Sequence, residues 1–149
     1  MNGSLGGLQI NSNARLQGTG TLGTTVVAGM IAPGNSIGTI HVNGNYTQLA
    51  GSRYDVEVNS AGRSDNISVI GQANILGGTV SVIPTGIGDY TEGNRYTVLT
   101  ANGGRLGQYY SILQHLPFIH LGLSYDFNNV YLDCSGHISF SFLYSAFPP

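Results

Sequence analysis

The sequence predicts an all-β fold, a right-handed parallel β-helix that ends in an antiparallel hairpin cap. Three observations predict it. Apolar and polar residues alternate along short runs, almost every run ends at a glycine or an asparagine, and similar units recur at roughly 20-residue intervals. Because one coil of such a solenoid cannot bury its inner face alone, successive coils must stack into a continuous apolar column.

The composition supports this class and excludes others. The 149 residues fit one domain, 41% of them are hydrophobic, and 23 are glycine, whereas only 8% are charged. A net charge of -2 without any lysine provides no basic surface, so no nucleic-acid partner is expected. The single cysteine, Cys134, excludes an internal disulfide framework.

The clearest strand follows Arg53. Tyr54, Val56 and Val58 fall on one face of this run, and Asp55 and Glu57 fall on the other. The same alternation recurs in four further short runs, at residues 40–42, 67–69, 80–82 and 96–98. Each run ends at a turn signal, as expected for strands that change direction at the corners of a coil.

The glycines and asparagines between these runs are interpreted as corners. They are dense in residues 31–59, IAPGNSIGTIHVNGNYTQLAGSRYDVEVN, and both residue types tolerate the positive φ that many turns require. The alternative is a ligand cradle. A phosphate cradle needs a glycine loop that opens a helix, whereas APGNSIG is followed by a β run. The corner interpretation is therefore preferred.

The C-terminal part of the pattern predicts a different unit. Two alternating runs, at 123–127 and 130–132, are joined by Asn128-Asn129, which suggests a tight antiparallel hairpin. Such a hairpin would cover the last open coil and protect a sheet edge. The expected organisation is β-helix coils over residues 1–121, a hairpin cap over 122–133, and an atypical apolar tail over 134–149. Two interpretations of this tail stay open, a further strand or a segment outside the fold.

Four motifs in a fixed order carry a resemblance to a known family. They are GMIAPGNSIGTIHVNGNYTQLAGSRYDVEVN, GRSDNISVIGQANILGGTVSV, NRYTVLTANGG and LSYDFNNVYLD. From about Gly18 to Asp133 the chain resembles the C-terminal part of the passenger domains of pertactin-like bacterial autotransporters. The resemblance implies the last part of a right-handed β-helix, including the segment called the autochaperone or junction region.

The resemblance also implies partners and a location. In the parent protein, the partners would be N-terminal passenger coils and a C-terminal translocator β-barrel, both absent here. The parent would be exposed at the cell surface or outer membrane, or secreted. The start of this chain, MNGSLGGLQI, lacks the basic and long apolar regions of a signal peptide, so the chain alone is expected to lack one.

The function expected from these observations is structural and not enzymatic. The segment would template passenger folding during secretion, because stacked coils grow one on the next. Two alternatives are a surface adhesin fragment that binds host glycan or protein, and the remnant of a polysaccharide-active β-helix enzyme. No catalytic residue, cofactor-binding residue or metal ligand is assigned, and no cofactor is expected.

Carboxylates offer the best enzymatic alternative. Asp55 and Glu57 share a strand face, and Asp65 or Asp89 from a neighbouring coil could join them as paired acids in polysaccharide hydrolysis. The preferred interpretation is that these acids keep the surface soluble. Nearby arginines at 53 and 63 would pair with them weakly at the surface.

The remaining polar and aromatic candidates are also interpreted as structural. The histidines, at 41, 115, 120 and 137, lack the spacing of a metal site, and Cys134 lacks the partners of a nucleophile. Residues 88–94, GDYTEGN, are interpreted as a turn rather than a Ca²⁺ loop. Tyr54 and Tyr96 are expected in the core, whereas Tyr109 and Tyr110 are left open between core and surface.

Overall fold

The computed structural model describes residues 6–86, 88–115 and 119–134, and all regular elements within these ranges are β-strands. In chain order they are β1 Leu8–Ile10, β2 Arg15–Gly18, β3 Gly20–Leu22, β4 Thr25–Val27, β5 Met30–Pro33, β6 Thr39–Val42, β7 Tyr46–Gln48, β8 Arg53–Val58, β9 Asn66–Val69, β10 Ala73–Ile75, β11 Thr79–Pro84, β12 Arg95–Ala101, β13 Arg105–Gly107, β14 Ser111–Leu113, β15 Leu121–Tyr125 and β16 Asn129–Cys134. The all-β prediction is confirmed.

The strands stack into three walls around one column. Sheet 1 has the order β1-β4-β7-β10-β13, sheet 2 has β2-β5-β8-β11-β14, and sheet 3 has β3-β6-β9-β12-β16-β15. All pairings are parallel except the two that involve β16. The chain therefore visits the three walls in turn and forms a parallel β-helix, as predicted. The right hand of the coil stays a prediction.

Each circuit of the three walls is one rung. Rung 1 contains β1–β3, rung 2 contains β4–β6, rung 3 contains β7–β9, and rung 4 contains β10–β12. Rung 5 contains β13 and β14, and β16 takes the place of its third strand. The spacing between aligned residues grows from 17, between Leu8 and Thr25, to 32, between Ala73 and Arg105. The corners absorb this difference, which explains why the repeat is loose in the sequence.

The interior of the column holds the apolar residues that alternation places inward. In β8, Tyr54, Val56 and Val58 are all fully buried, as expected from their shared face. Their neighbours in sheet 2 continue the column with Ile31 below and Val80 above. Burial of apolar surface stabilises a fold by about 25 cal/mol per Å². Because each row of side chains is buried against the rows above and below it, each rung is stabilised mainly by its neighbours.

The corner interpretation of residues 31–59 agrees with the backbone. Gly34 lies between β5 and β6 with φ +79°, and Gly51 lies between β7 and β8 with φ +84°. A side chain at Gly34 would also place its Cβ 2.3 Å from the carbonyl oxygen of Ser36. These glycines therefore turn the chain from one wall to the next.

The C-terminal hairpin is present, but its turn is longer than predicted. β15 ends at Tyr125 and β16 begins at Asn129, so the turn consists of Asp126, Phe127 and Asn128 instead of Asn128-Asn129. Of the atypical tail, only Cys134 falls within the described residues, where it ends β16 and is buried. Residues 135–149 lie outside the described ranges. Among the described residues, no helix has the length and apolar character needed to cross a bilayer.

Candidate functional site

The hairpin closes one end of sheet 3. β16 runs antiparallel to β12 on one side and to β15 on the other. Leu132 lies opposite both Tyr96 and Leu123, and it is fully buried together with Val130. Leu123 and Tyr125 also pack against the core, although they are only partly buried. The hairpin therefore extends one wall and folds its apolar side chains over the interior.

An ion pair holds the hairpin to rung 4 on its outer face. Arg95 donates from Nε and Nη2 to the two carboxylate oxygens of Asp133, at 2.7 and 3.2 Å. The Ser124 hydroxyl donates to the same carboxylate at 2.7 Å, and the guanidinium lies 4.3 Å from the centre of the Tyr131 ring. The hydrogen bond from Arg95, followed by the one from Ser124, lowers the pKa of Asp133. These side chains link β12 and β15 to the β16 strand that lies between them.

Polar contacts also order the turn and the segment that leads into the hairpin. The Tyr131 hydroxyl donates to Asp126 at 2.5 Å, and the Asn128 amide donates to the same side chain at 2.9 Å. The Gln114 side chain bonds both the backbone N–H and the carbonyl oxygen of Leu121, at 2.8 and 2.6 Å. The start of β15 is therefore held by a side chain that mimics a strand partner.

Beneath the hairpin, a polar network crosses the otherwise apolar column. Gln48 is fully buried in rung 3, and its Oε1 accepts hydrogen bonds from the hydroxyls of Tyr46, at 2.5 Å, and Tyr109, at 3.0 Å. Its Nε2 donates to the Ser52 hydroxyl at 2.9 Å, which in turn donates to the Leu49 carbonyl oxygen. Among the described residues, no buried side-chain polar atom lacks a partner. The network is thus satisfied and not a vacant site.

Two further tyrosines link rung 3 to rung 4 through backbone carbonyls. Tyr54 donates to the Val98 oxygen at 2.6 Å, and Tyr96 donates to the Asn59 oxygen at 2.8 Å. Both rings are buried, which confirms the core assignment from alternation. Of the pair left open, Tyr109 is buried and Tyr110 is 87% exposed. Burial raises the pKa of Tyr46, Tyr54 and Tyr109, so all three stay protonated donors at neutral pH.

The carboxylate face differs from expectation. Asp55 was expected to be a surface acid, but it is only 3% exposed. Its carboxylate accepts from Arg53 at 2.6 and 3.2 Å and from Arg15, two rungs away, at 2.6 Å. The expected Arg53 partner is therefore present, and Arg15 was missed. The two guanidinium groups pair with the charge of Asp55 on the outer face of sheet 2.

Asp65 is also buried, and its contacts are with backbone. Its two oxygens accept the N–H groups of Gly38, at 2.8 Å, and Glu57, at 2.9 Å, so the side chain joins rung 2 to rung 3. Burial raises the pKa of Asp65 to about 7, although the two N–H donors act in the opposite direction. Asp89 is exposed in the loop before β12. The structure does not bring these acids together as an open pair around a substrate cleft.

The remaining candidates are the histidines, the GDYTEGN segment and Cys134. His41, His115 and His120 are exposed, and no group of three potential metal ligands occurs among the described residues. His137 lies outside the described ranges. The GDYTEGN segment, at residues 88–94, is a loop in which both acids are exposed. Cys134 is buried at the end of β16.

The opposite end of the column is built differently. β1, β2 and β3 are the terminal strands of their three sheets, and within the described residues they have strand partners only on the rung 2 side. Ile10 and Leu22 continue the buried column into this rung, with Leu8 and Leu16 partly buried beside them. Rung 1 therefore presents three parallel backbone edges around an apolar interior.

A column of parallel rungs that a hairpin caps at one end, and that ends in the terminal strands β1–β3 among the described residues at the other, defines a capped β-solenoid. Two extracellular serine proteases of Serratia marcescens are similar to it. One is 36% identical over 131 residues, covering 81% of this chain and 12% of the relative. The other is 31% identical over 104 residues, covering 64% of this chain and 10% of the relative. No family model matches the chain.

These relatives support part of the expected identity and overturn another part. The homology supports an origin in a secreted or cell-surface autotransporter passenger. The expectation that the protein is not an enzyme is contradicted, because both relatives are named as serine proteases. The chain spans 12% and 10% of their lengths, so the resemblance concerns one segment of a much longer protein.

Proposed function

We propose that this chain is the C-terminal β-helix segment of a pertactin-like autotransporter passenger that carries a secreted serine protease. Its role there is to act as an autochaperone, a folded end on which the upstream passenger coils assemble during outer-membrane secretion. Its partners are those upstream coils, at rung 1, and the translocator β-barrel that follows the passenger. The similarity to extracellular serine proteases supports the enzymatic parent.

The observation that carries the proposal is the difference between the two ends. The hairpin adds two antiparallel strands to sheet 3 and buries Leu121, Val130 and Leu132 at one end. At the other end, β1–β3 are the terminal strands of all three walls, and within the described residues their only strand partners lie in rung 2. An upstream coil that stacks on rung 1 gains both backbone partners and a hydrophobic face, and each added coil recreates the same surface.

The direction of growth has a mechanical consequence. A segment that folds first on the outer side of the membrane would hinder backward sliding of the chain. Each coil added to rung 1 would then draw further chain outward, because folding on the template is favourable by nearest-neighbour stacking. The template must remain folded while it works, so the stability of the cap matters for the folding of coils far from it.

The test replaces the homologous segment of the Serratia marcescens protease with this chain, either wild type or carrying Leu132→Ala. The matched control is Leu106→Ala, which truncates a leucine of the same rung that is 56% exposed. The readout is the time after export at which the upstream passenger becomes resistant to an added protease. We expect a delay with Leu132→Ala and none with Leu106→Ala. Equal folding times in a hybrid that is measurably destabilised would reduce the segment to a passive stalk.

A further inference from the structure

Within the described residues, one hydrogen bond from rung 1 and one from rung 5 bypass the neighbouring rung, and both end on rung 3. In solenoids, each repeat generally contacts only the next one, so local opening can remain local. Here Tyr109 of rung 5 bonds Gln48 of rung 3, and Arg15 of rung 1 bonds Asp55 of rung 3. We propose that rung 3 couples both ends of the chain into one cooperative unit through these two contacts, termed here the inner and outer staples.

The inner staple runs inside the column. Tyr109 is 6% exposed, and its hydroxyl reaches past rung 4 to Gln48, which the Tyr46 hydroxyl also bonds. Rung 4 has Gly77 and Gly78 at this corner. A Cβ at Gly78 would lie 2.8 Å from the Ser52 hydroxyl and 3.4 Å from the Gln48 side chain. The glycine therefore leaves the space around the glutamine that the network occupies.

The outer staple runs along the outer face of sheet 2. Arg15 lies opposite Met30 in rung 2, and its guanidinium passes the Met30 sulfur at 4.0 Å before it reaches Asp55. Arg53, on the same strand as Asp55, donates to both oxygens of this carboxylate. Because Asp55 is buried, the loss of either arginine leaves a charge with fewer partners in a poorly solvated position.

The two staples converge on adjacent strands of one rung. Gln48 ends β7 and Asp55 lies in β8, joined by the corner that contains Ser52, itself part of the inner network. Opening of rung 5 therefore removes a partner from the buried Gln48, and opening of rung 1 removes a partner from the buried Asp55. The coupling concerns the folding of the chain itself, so it stands whether or not the segment templates other coils.

Hydrogen exchange of the full chain tests the coupling at two distant amides. The Met30 N–H bonds the Ala14 oxygen of rung 1 at 2.9 Å, and the Arg105 N–H bonds the Phe127 oxygen beside rung 5 at 2.8 Å. Two mild variants each remove one staple: Tyr109→Phe leaves Gln48 its Tyr46 partner, and Arg15→Gln leaves Asp55 its Arg53 partner. The matched controls are Tyr110→Phe and Arg63→Gln, at exposed positions whose side chains are not part of either staple.

The expected result is reciprocal. Tyr109→Phe should lower the protection of the Met30 amide as well as the Arg105 amide, and Arg15→Gln should do the same, each by about three- to tenfold for one lost hydrogen bond. The controls should leave both amides unchanged. Faster exchange only at the end that carries the substitution, or unchanged exchange at both ends, would overturn the proposal. Since each variant is measured at the amide of the distant end as well as at its own end, either one alone tests the coupling if the other does not fold.

Discussion

Leu132 lies directly opposite Tyr96 in the antiparallel pairing of the hairpin with rung 4, and both side chains are buried. Truncating Leu132 to alanine should therefore create a cavity where the cap meets the column. We expect a loss of about 2–5 kcal/mol in the free energy of unfolding. Leu106→Ala, on the exposed side of β13, should change it by no more than about 0.5 kcal/mol. Urea denaturation of both variants measures the difference, and similar losses would mean that the hairpin is not packed as described.

The buried acid on sheet 2 gives a second prediction. Asp55→Asn removes the charge that Arg15 and Arg53 share and should destabilise the chain by about 1–3 kcal/mol. Asp89→Asn is the control, because Asp89 is an exposed acid in a loop and should have little effect. This expectation replaces the sequence-based interpretation of Asp55 as an acid that keeps the surface soluble. Thermal unfolding of the two variants at neutral pH separates the alternatives, and equal midpoints would restore the surface interpretation.

Alternation of apolar and polar residues was sufficient to predict the fold class and the inward face of β8. The same alternation could also have predicted that Gln48 is buried, because Tyr46 and Gln48 share the inward face of β7. This signal was missed there. The burial of Asp55 could not be predicted in this manner. It depends on Arg15, 40 positions earlier, and only the register of β2, β5 and β8 brings the two together. Unequal corners hide that register in the sequence.

The hairpin illustrates the same limit on a smaller scale. Two β runs separated by asparagines predicted its existence. The turn nevertheless begins at Asp126, because the Asp126 side chain accepts bonds from Asn128, Asn129 and Tyr131 and organises a three-residue connection. Side chains that bond their own turn in this way compete with the simplest two-residue connection. Local composition therefore located the turn only to within a few residues.

Asp65 predicts a specific dependence of stability on pH. Its pKa is about 7 in the folded chain against 3.8 as the ordinary value. Between these values the unfolded chain releases the proton and the folded chain retains it, so rising pH favours unfolding through this group. Its stabilising contribution is complete below about pH 4, falls as the pH rises towards 7, and is constant above that.

The measurement compares wild type with Asp65→Asn across this range. The free energy of unfolding from urea titrations should fall more steeply with pH in the wild type than in the variant, between about pH 4 and 7. Parallel pH profiles would show that the two backbone donors, rather than burial, dominate the ionisation of Asp65.

Glycines of the last rungs give the final prediction, because two of them differ sharply in their surroundings. Gly107 ends β13 with φ +82°, and a Cβ there would lie 1.9 Å from the Ile75 carbonyl oxygen. Gly122, in β15, has no heavy atom within 4 Å of the position of a Cβ.

The left-handed backbone at Gly107 alone costs an alanine about 1–2 kcal/mol, and the clash adds to that. Gly107→Ala should therefore destabilise the chain by more than about 2 kcal/mol, whereas Gly122→Ala should be neutral or slightly stabilising, since it restricts the unfolded chain. Urea denaturation followed by far-UV circular dichroism measures both. If Gly107→Ala were as stable as Gly122→Ala, then β13 would not stack on β10 in the register described, and rung 5 would have to be placed differently.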